Sequence, residues 1–195
     1  MIKEYINSIN KHYDKTINRY GFNIKGLGWR KGGLNKRYKI IIESISFKNK
    51  SVLDYGCGFC DFYKYVKKKK IKIKSYSGVE INPKIRSFLL NKFKKKISVY
   101  RKLPKTKYDI VISNGVHNYK TKNCEKIFYK DIHNLLKITK KAFIISFINN
   151  NVDFRESYLS YKNLFKTIKF IQKKNCSFII NQTMNKYETF LIILK

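Results

Sequence analysis

The stretch Val52-Leu53-Asp54-Tyr55-Gly56-Cys57-Gly58-Phe59-Cys60-Asp61 decides how this chain is read. A short apolar run, Ser51 to Tyr55, passes into two glycines one residue apart. From Asp61 to about Lys69 the pattern suits a helix. Paired glycines let a backbone turn sharply and come close to a ligand. The pattern is not a full G-x-G-x-x-G, because position 61 is Asp, and by itself it equally describes a tight strand-to-helix turn capped by Asp61. Cys57 and Cys60 form a C-x-x-C, but no second Cys or His pair follows at zinc-ligand spacing, so small turn residues are the better reading and no metal is expected.

Working outward, strand-like and helix-like segments alternate. Downstream, Ile71–Val79, Ile97–Tyr100, Tyr108–Ser113 and Ala142–Phe147 read as strands. Between and after them, Pro83 to about Lys95, Lys122 to about Thr139 and Phe154 to about Lys173 read as helices. Ser177–Ile180 and Thr189–Leu194 read as two last strands in an antiparallel arrangement. Pro83 suits the first turn of its helix, where a missing N–H costs nothing. Upstream, Ile2, Tyr5, Ile6 and Ile9 share one helix face, and Arg37–Ile45 forms a second helix. Between them Gly26-Leu27-Gly28-Trp29-Arg30-Lys31-Gly32-Gly33 holds the only tryptophan. The expectation is an α/β chain with a mostly parallel sheet covered by helices on both faces. It divides into a helical cap over 1–47 and a main unit over 48–195. At 195 residues it makes one compact domain overall.

Ligands of such sheets bind beyond the carboxyl ends of the strands. The first strand ends at Asp54 and its glycines. The second ends in Gly78-Val79-Glu80-Ile81-Asn82, where an acid can take two hydrogen bonds from a ribose diol. The fourth ends in Ser113-Asn114-Gly115-Val116-His117-Asn118, a polar loop at the rim. Only 12 residues are Asp or Glu, so Asp54 and Glu80 facing one crevice make a locally negative pocket in a chain of net charge +32. That pocket suits a ligand with a diol and a positive charge.

Three segments resemble a known family. Val52–Gly58 looks like motif I of class I S-adenosylmethionine-dependent methyltransferases, Gly78–Asn82 like motif II, and Tyr108–Val116 like motif IV, in order and at family spacing. The resemblance runs over about residues 50–195. Gly28-Trp29 with Arg37, and the ending Tyr187-Glu188-Thr189-Phe190, further resemble a subset of small bacterial methyltransferases of unassigned acceptor.

The resemblance implies a Rossmann-like three-layer sandwich, with a seven-stranded, mostly parallel sheet and an antiparallel last strand. It implies S-adenosylmethionine as cofactor. The backbone at Gly56 and Gly58, with Cys57 and Phe59 in the same loop, would pack against the methionyl and ribose parts. Asp54 would act on the amino end, Glu80 on the ribose hydroxyls and Ile81 on the adenine. Asn114 and Gly115 would line the methionine side. From the residues themselves, Trp29 would lid the cofactor or stack on the acceptor, with Gly26, Gly28, Gly32 and Gly33 as hinges, or else anchor the N-terminal segment in the core. The acid that the family often carries after the third strand is missing, since that neighbourhood is Tyr100-Arg101. His117, directly after motif IV, is the candidate base, its ordinary pKa of about 6.5 suiting proton transfer.

Composition limits the partners. There are 38 Lys but 6 Arg and one Ala, a bias toward AT-rich codons that supplies basicity without selection for a partner. The functional alternative is a surface for nucleic acid or another polyanion. The lysines read as spread along the whole chain, so nucleic-acid contact is expected to be salt-sensitive, indifferent to sequence and separate from methyl transfer. A small molecule or sugar-type metabolite is the expected acceptor. A nucleic-acid methyltransferase and a non-catalytic polyanion-binding protein that kept the fold are the alternatives. No apolar run approaches the ~20 residues of a membrane helix, no signal-peptide core opens the chain, and 4 cysteines do not make a disulfide scaffold, so a cytoplasmic location is expected.

Overall fold

The computed structural model describes residues 2–29, 31–94, 96–153, 155–184 and 187–195. Helix α1 spans Ile2–Tyr20, and a short 3-10 turn covers Ile24–Leu27. Then follow α2 (Lys31–Ser44), β1 (Ser51–Tyr55), α3 (Asp61–Lys68), β2 (Ser75–Val79), α4 (Pro83–Phe93) and β3 (Ser98–Tyr100). The second half holds β4 (Tyr108–Asn114), α5 (Cys124–Ile138), β5 (Thr139–Asn149), β6 (Tyr161–Lys162), α6 (Leu164–Gln172), β7 (Ser177–Asn181) and β8 (Glu188–Leu194).

The strands form one sheet in the order β3-β2-β1-β4-β5-β8-β7, with β6 added beside β5. β8 runs antiparallel to β5 and to β7, and the remaining pairs are parallel. Strand periodicity divides the core between the two faces. Val52, Ile110, Ile112, Ile144, Phe190 and Ile192 point to the face covered by α2, α3 and α4. Leu53, Val111, Phe143, Ile145, Leu191 and Ile193 point to the face covered by α5 and α6. The layers are those expected. Among the described residues no helix is long and apolar enough to cross a membrane.

Three element starts differ from expectation, and one strand is added. The second strand begins at Ser75, not Ile71, because β1 starts at Ser51 and pairs with Ser75, leaving the alternating Ile71–Lys74 without a partner strand. α2 begins six residues before Arg37, and takes Gly32 and Gly33 into its first turn. The long helix expected from Phe154 begins only at Leu164, where the Asn163 side chain accepts from Lys166 N at 2.9 Å and sets the N-cap. Residues before it add β6 to the sheet edge, which makes eight strands instead of seven, and Leu159 bridges to Tyr119. Phe154, and Arg30 of the glycine-rich stretch, lie outside the described residues.

Candidate active site

The loop after β1 is tied to the end of β2. Gly56 and Cys57 both donate their backbone N–H to the Val79 carbonyl, at 2.8 and 3.0 Å. Gly56 and Gly58 have φ of 74° and 51°, in the left-handed region that favours glycine. A Cβ on Gly58 would stand 2.5 Å from Leu27 Cδ1, and one on Gly56 would stand 2.4 Å from Val116 Cγ2. The loop is therefore held between the 3-10 turn and the segment after β4, with no room for side chains.

Glu80 follows β2 and is buried. Its carboxylate accepts from Gly58 N at 3.1 Å and from Asn82 N at 2.8 Å. Burial raises its pKa above the usual carboxylate value, a rise that these backbone N–H groups oppose but do not cancel. The Ile81 backbone N–H also interacts with it, and a carboxylate with about four acceptor sites keeps capacity beyond these three. Asn82 caps α4 by accepting from Lys84 N and Ile85 N, and donates its amide to Asp14 of α1 at 3.0 Å. α1 is thereby fastened across the rim.

A cavity of about 470 Å³ lies under α1, within the size range of small-molecule sites. Glycines 56, 58 and 115 form its floor beside Glu80 and Ile81. Tyr5, Ile6, Ile9 and Tyr13 roof it, and Trp29 and Asn114 close one end. At the other end stand Leu103 and the α5 residues Ile127, Asp131 and Asn134. Asp131 accepts from Tyr55 Oη at 3.0 Å, and burial lifts its carboxyl to about 6. The two lysines on the wall, Lys102 and Lys130, are exposed at the rim, whereas Glu80 is buried, so the interior is locally negative.

Among the residues expected in the site, Glu80, Ile81, Gly56, Gly58, Asn114, Gly115 and Trp29 line this cavity. Asp54 does not share it with Glu80. It lines a separate 30 Å³ void behind the glycine loop, with Cys57, Asp61 and Tyr38. There it accepts from Tyr76 Oη at 2.6 Å, and burial raises its carboxyl to about 7. The glycine loop, Trp29 and Asn114 form a common wall between the two spaces. Cys57 is buried, and its sulfur fills the space beside Gly78, where an added Cβ would meet it at 2.5 Å. Phe59 is 1% exposed and makes edge contacts with Phe22 and Phe88, which places it in the core and off the cavity wall.

His117 also stands behind the wall. It is buried, its Nε2 lies 3.6 Å from Asp131 Oδ2, and its ring meets Phe128 edge-on. Burial, then the charge of Lys162, pulls its pKa down to about 3, so the imidazole is neutral. Of this pair, Asp131 is the one that faces the cavity.

Trp29 is wedged rather than hinged. Arg37 stacks on its ring with the guanidinium carbon 4.3 Å from the centroid, and a Cβ on Gly115 would stand 2.7 Å from its Cη2. Gly26 is packed against Gly21 O, and Gly32 and Gly33 are helical, so those glycines do not free the segment. Arg37 forms a buried ion pair with Glu188 and reaches Asn114 Oδ1 at 3.5 Å. Ser146 Oγ donates to the same Oδ1 at 2.9 Å and accepts from Gly115 N. The Gly28-Trp29, Arg37 and Tyr187–Phe190 segments, far apart in sequence, thus converge on motif IV.

Three groups at the site were not picked out in the sequence. The roof residues of α1 were visible as an apolar stripe but carried no sign of what they cover. Tyr55 sat inside the quoted strand. Asp131 had a signal: an acid between Phe128, Ile132 and Leu135 on the apolar face of α5, where a buried carboxyl needs a reason.

No family model matches the sequence, and no curated protein matches it. Solved structures do match. The methyltransferase domain of a bacterial CtHen1 superposes with TM-score 0.61 at 16% identity, over 84% of this chain and 98% of that one. DhpI in complex with SAH matches over 98% of this chain and 97% of its own, with TM-score 0.70 and 6% identity. A SAM-dependent methyltransferase from Aquifex aeolicus matches with TM-score 0.61 and 13% identity, over 85% and 93% of the two chains. With the strand order, the glycine loop and the acid after β2, these similarities establish that the chain has the fold of the class I S-adenosylmethionine-dependent methyltransferases.

Proposed function

We propose that this protein binds S-adenosylmethionine in the cavity under α1 and transfers its methyl group to a small-molecule or sugar-type acceptor. The observation that carries the cofactor reading is Glu80, buried at the carboxyl end of β2 and held by Gly58 N and Asn82 N with acceptor capacity to spare. The residues fit the group. Glu80 would take the ribose hydroxyls and Ile81 would pack on the adenine. The backbone of the Gly56–Gly58 loop, crowded where any Cβ would be, would lie against the ribose and methionyl arm. Asp131 and Tyr55 would read the amino edge of the adenine, in place of the acid missing after β3. Trp29 and Asn114 would flank the methionine arm, and Asp54, in the void behind the loop and bonded to Tyr76, would support the loop instead of touching the ligand. Buried carboxylates favour a cationic ligand over an anionic one.

When bound, the cofactor supplies an already activated methyl, so what the chain must add is proximity and alignment. Trp29, locked between Arg37 and Gly115, fixes one wall of the transfer site. The α1 residues Tyr5, Ile6, Ile9 and Tyr13 narrow the way in and favour a small acceptor over a polymer strand. His117, neutral and behind Asp131, is a weaker proton acceptor than the Asp131 carboxylate in front of it.

Calorimetric titration with S-adenosylmethionine and S-adenosylhomocysteine tests the reading. Wild type should bind both, and Glu80→Ala should bind at least tenfold more weakly, as losing a charge-assisted bond of about 1.5–3 kcal/mol requires. Equal affinity in the two proteins would remove Glu80 from the site.

A further inference from the structure

The lysines are not spread evenly over the fold. The connections that lead into β1, β2, β3, β4 and β5 are lysine-rich. Phe47-Lys48-Asn49-Lys50 leads into β1, and Lys67-Lys68-Lys69-Lys70-Ile71-Lys72-Ile73-Lys74 into β2. Lys94 and Lys96 precede β3, and Lys105 and Lys107 precede β4. Lys137, Lys140 and Lys141 surround the start of β5. Topology collects them, because all these segments meet at the amino ends of the parallel strands, opposite the cavity. The collection is contiguous: Lys74 N donates to Lys50 O at 2.9 Å, Asn49 N to Lys72 O at 2.8 Å, and Lys195 N to Lys141 O at 2.9 Å.

The acids are sorted the other way. Of the 12 Asp and Glu, only Glu43 and Asp109 belong to this edge. Asp109 is occupied, accepting from Ser51 N at 2.9 Å and Ser51 Oγ at 2.8 Å. The Lys50 and Lys141 side chains sit close enough that hydrogen-bond contact with the Lys141 amine, and then its charge, holds Lys50 below the ordinary lysine pKa. Like charges forced together on an exposed edge gain free energy when an anion neutralises them. Helix ends attract cations by their dipoles, which explains lysines after α3, α4 and α5. It does not explain Lys50 and Lys74, which immediately precede β1 and β2, or Lys140 and Lys141, which lie in the first residues of β5.

We propose that this amino-end edge is a docking surface for a nucleic-acid phosphate backbone. Crossing β2, β1, β4, β5 and β8 at about 4.8 Å per strand, it presents a row of charges about 20 Å long. A duplex carries one negative charge per ~1.7 Å of axis, so such a row can face several phosphates at once. Lys, a point charge on a flexible stem, suits contact with phosphates without reading bases. Of the large exposed hydrophobic side chains, Phe22, Phe165 and Ile179 lie away from these lysine-bearing connections, and Leu90 alone of those four stands beside one of the lysines, Lys94, at the β3 margin of the edge. A membrane-inserting surface would need such residues beside its cations. The edge faces away from the cavity, so the bound polymer is an anchor and not the methyl acceptor. The proposal does not depend on the cofactor assignment.

The test compares two triple variants of equal net charge, K50Q/K74Q/K141Q on this edge and K11Q/K36Q/K126Q on α1, α2 and α5 at the cavity end. Anisotropy with labelled duplex RNA is recorded from about 50 to 200 mM salt, with circular dichroism confirming both folds. Removing three phosphate contacts should flatten the slope of log affinity against log salt by about 3 in the edge variant and leave the cavity-end variant like wild type. Equal losses in both variants would show a diffuse polycation and overturn the proposal. So would binding to phosphatidylserine vesicles with no RNA binding at the same salt.

Discussion

Asp54 offers a test of the interior that needs no ligand. Its carboxyl lies in the core at the glycine loop, bonded to Tyr76 Oη at 2.6 Å and raised from 3.8 to about 7 by burial, which outweighs the opposing Tyr76 bond. Between these values the folded protein holds a proton that the unfolded chain releases. Stability from this group is therefore full below about pH 4 and is lost as pH rises through about 7. At 1.36 kcal/mol per tenfold change in acidity, the loss approaches 4 kcal/mol for a fully buried carboxyl. Asp54→Asn keeps the shape and can still accept from Tyr76, but it cannot ionise. Urea unfolding measured from pH 4 to 8 should show the wild type losing about 4 kcal/mol more than the variant over that range. Parallel curves would mean that Asp54 is solvated or paired, and that the void behind the glycine loop is not what the packing describes.

Gly58→Val should leave the sheet intact but push Leu27 and the 3-10 turn outward and reduce S-adenosylmethionine affinity at least a hundredfold; near-normal binding in the titration would make the loop a turn only. Gly115→Val should displace the indole it supports, shifting the emission of the only tryptophan to the red in the free protein. An unchanged spectrum would free Trp29 from that contact and restore the lid that the flanking glycines suggested.

The legible part of this molecule was the part written locally. The β1, β2 and β4 endings announce themselves because each joins an apolar run to glycine or a polar rim residue, and the structure brings Glu80, Ile81, Asn114 and Gly115 to one cavity. What distance in sequence decides was not legible. Whether Asp54 faces the crevice or the core depends on Tyr76, one strand away. Phe59 and Cys57 sit in the right loop but turn inward because Phe22, Phe88 and Gly78 leave space there. His117 is adjacent in sequence to motif IV, yet Phe128 and Asp131 of α5 lie in front of it. Gly32 and Gly33 looked like hinges and are helical, since the turn that reverses the chain ends earlier, at Gly28 with its φ of 76°. The lysines of the strand-entering connections looked dispersed because the sequence lists the connections one by one, and the topology brings that group to one edge.

The most direct test of the central claim is a crystal structure of the protein grown with S-adenosylhomocysteine. The account predicts the ligand under α1, with both ribose hydroxyls within about 2.6–3.2 Å of the Glu80 carboxylate, the adenine beside Ile81 and Asp131, and the methionyl arm between Asn114 and Trp29. A ligand bound elsewhere, or the cavity filled with Glu80 making no contact to it, would contradict the account.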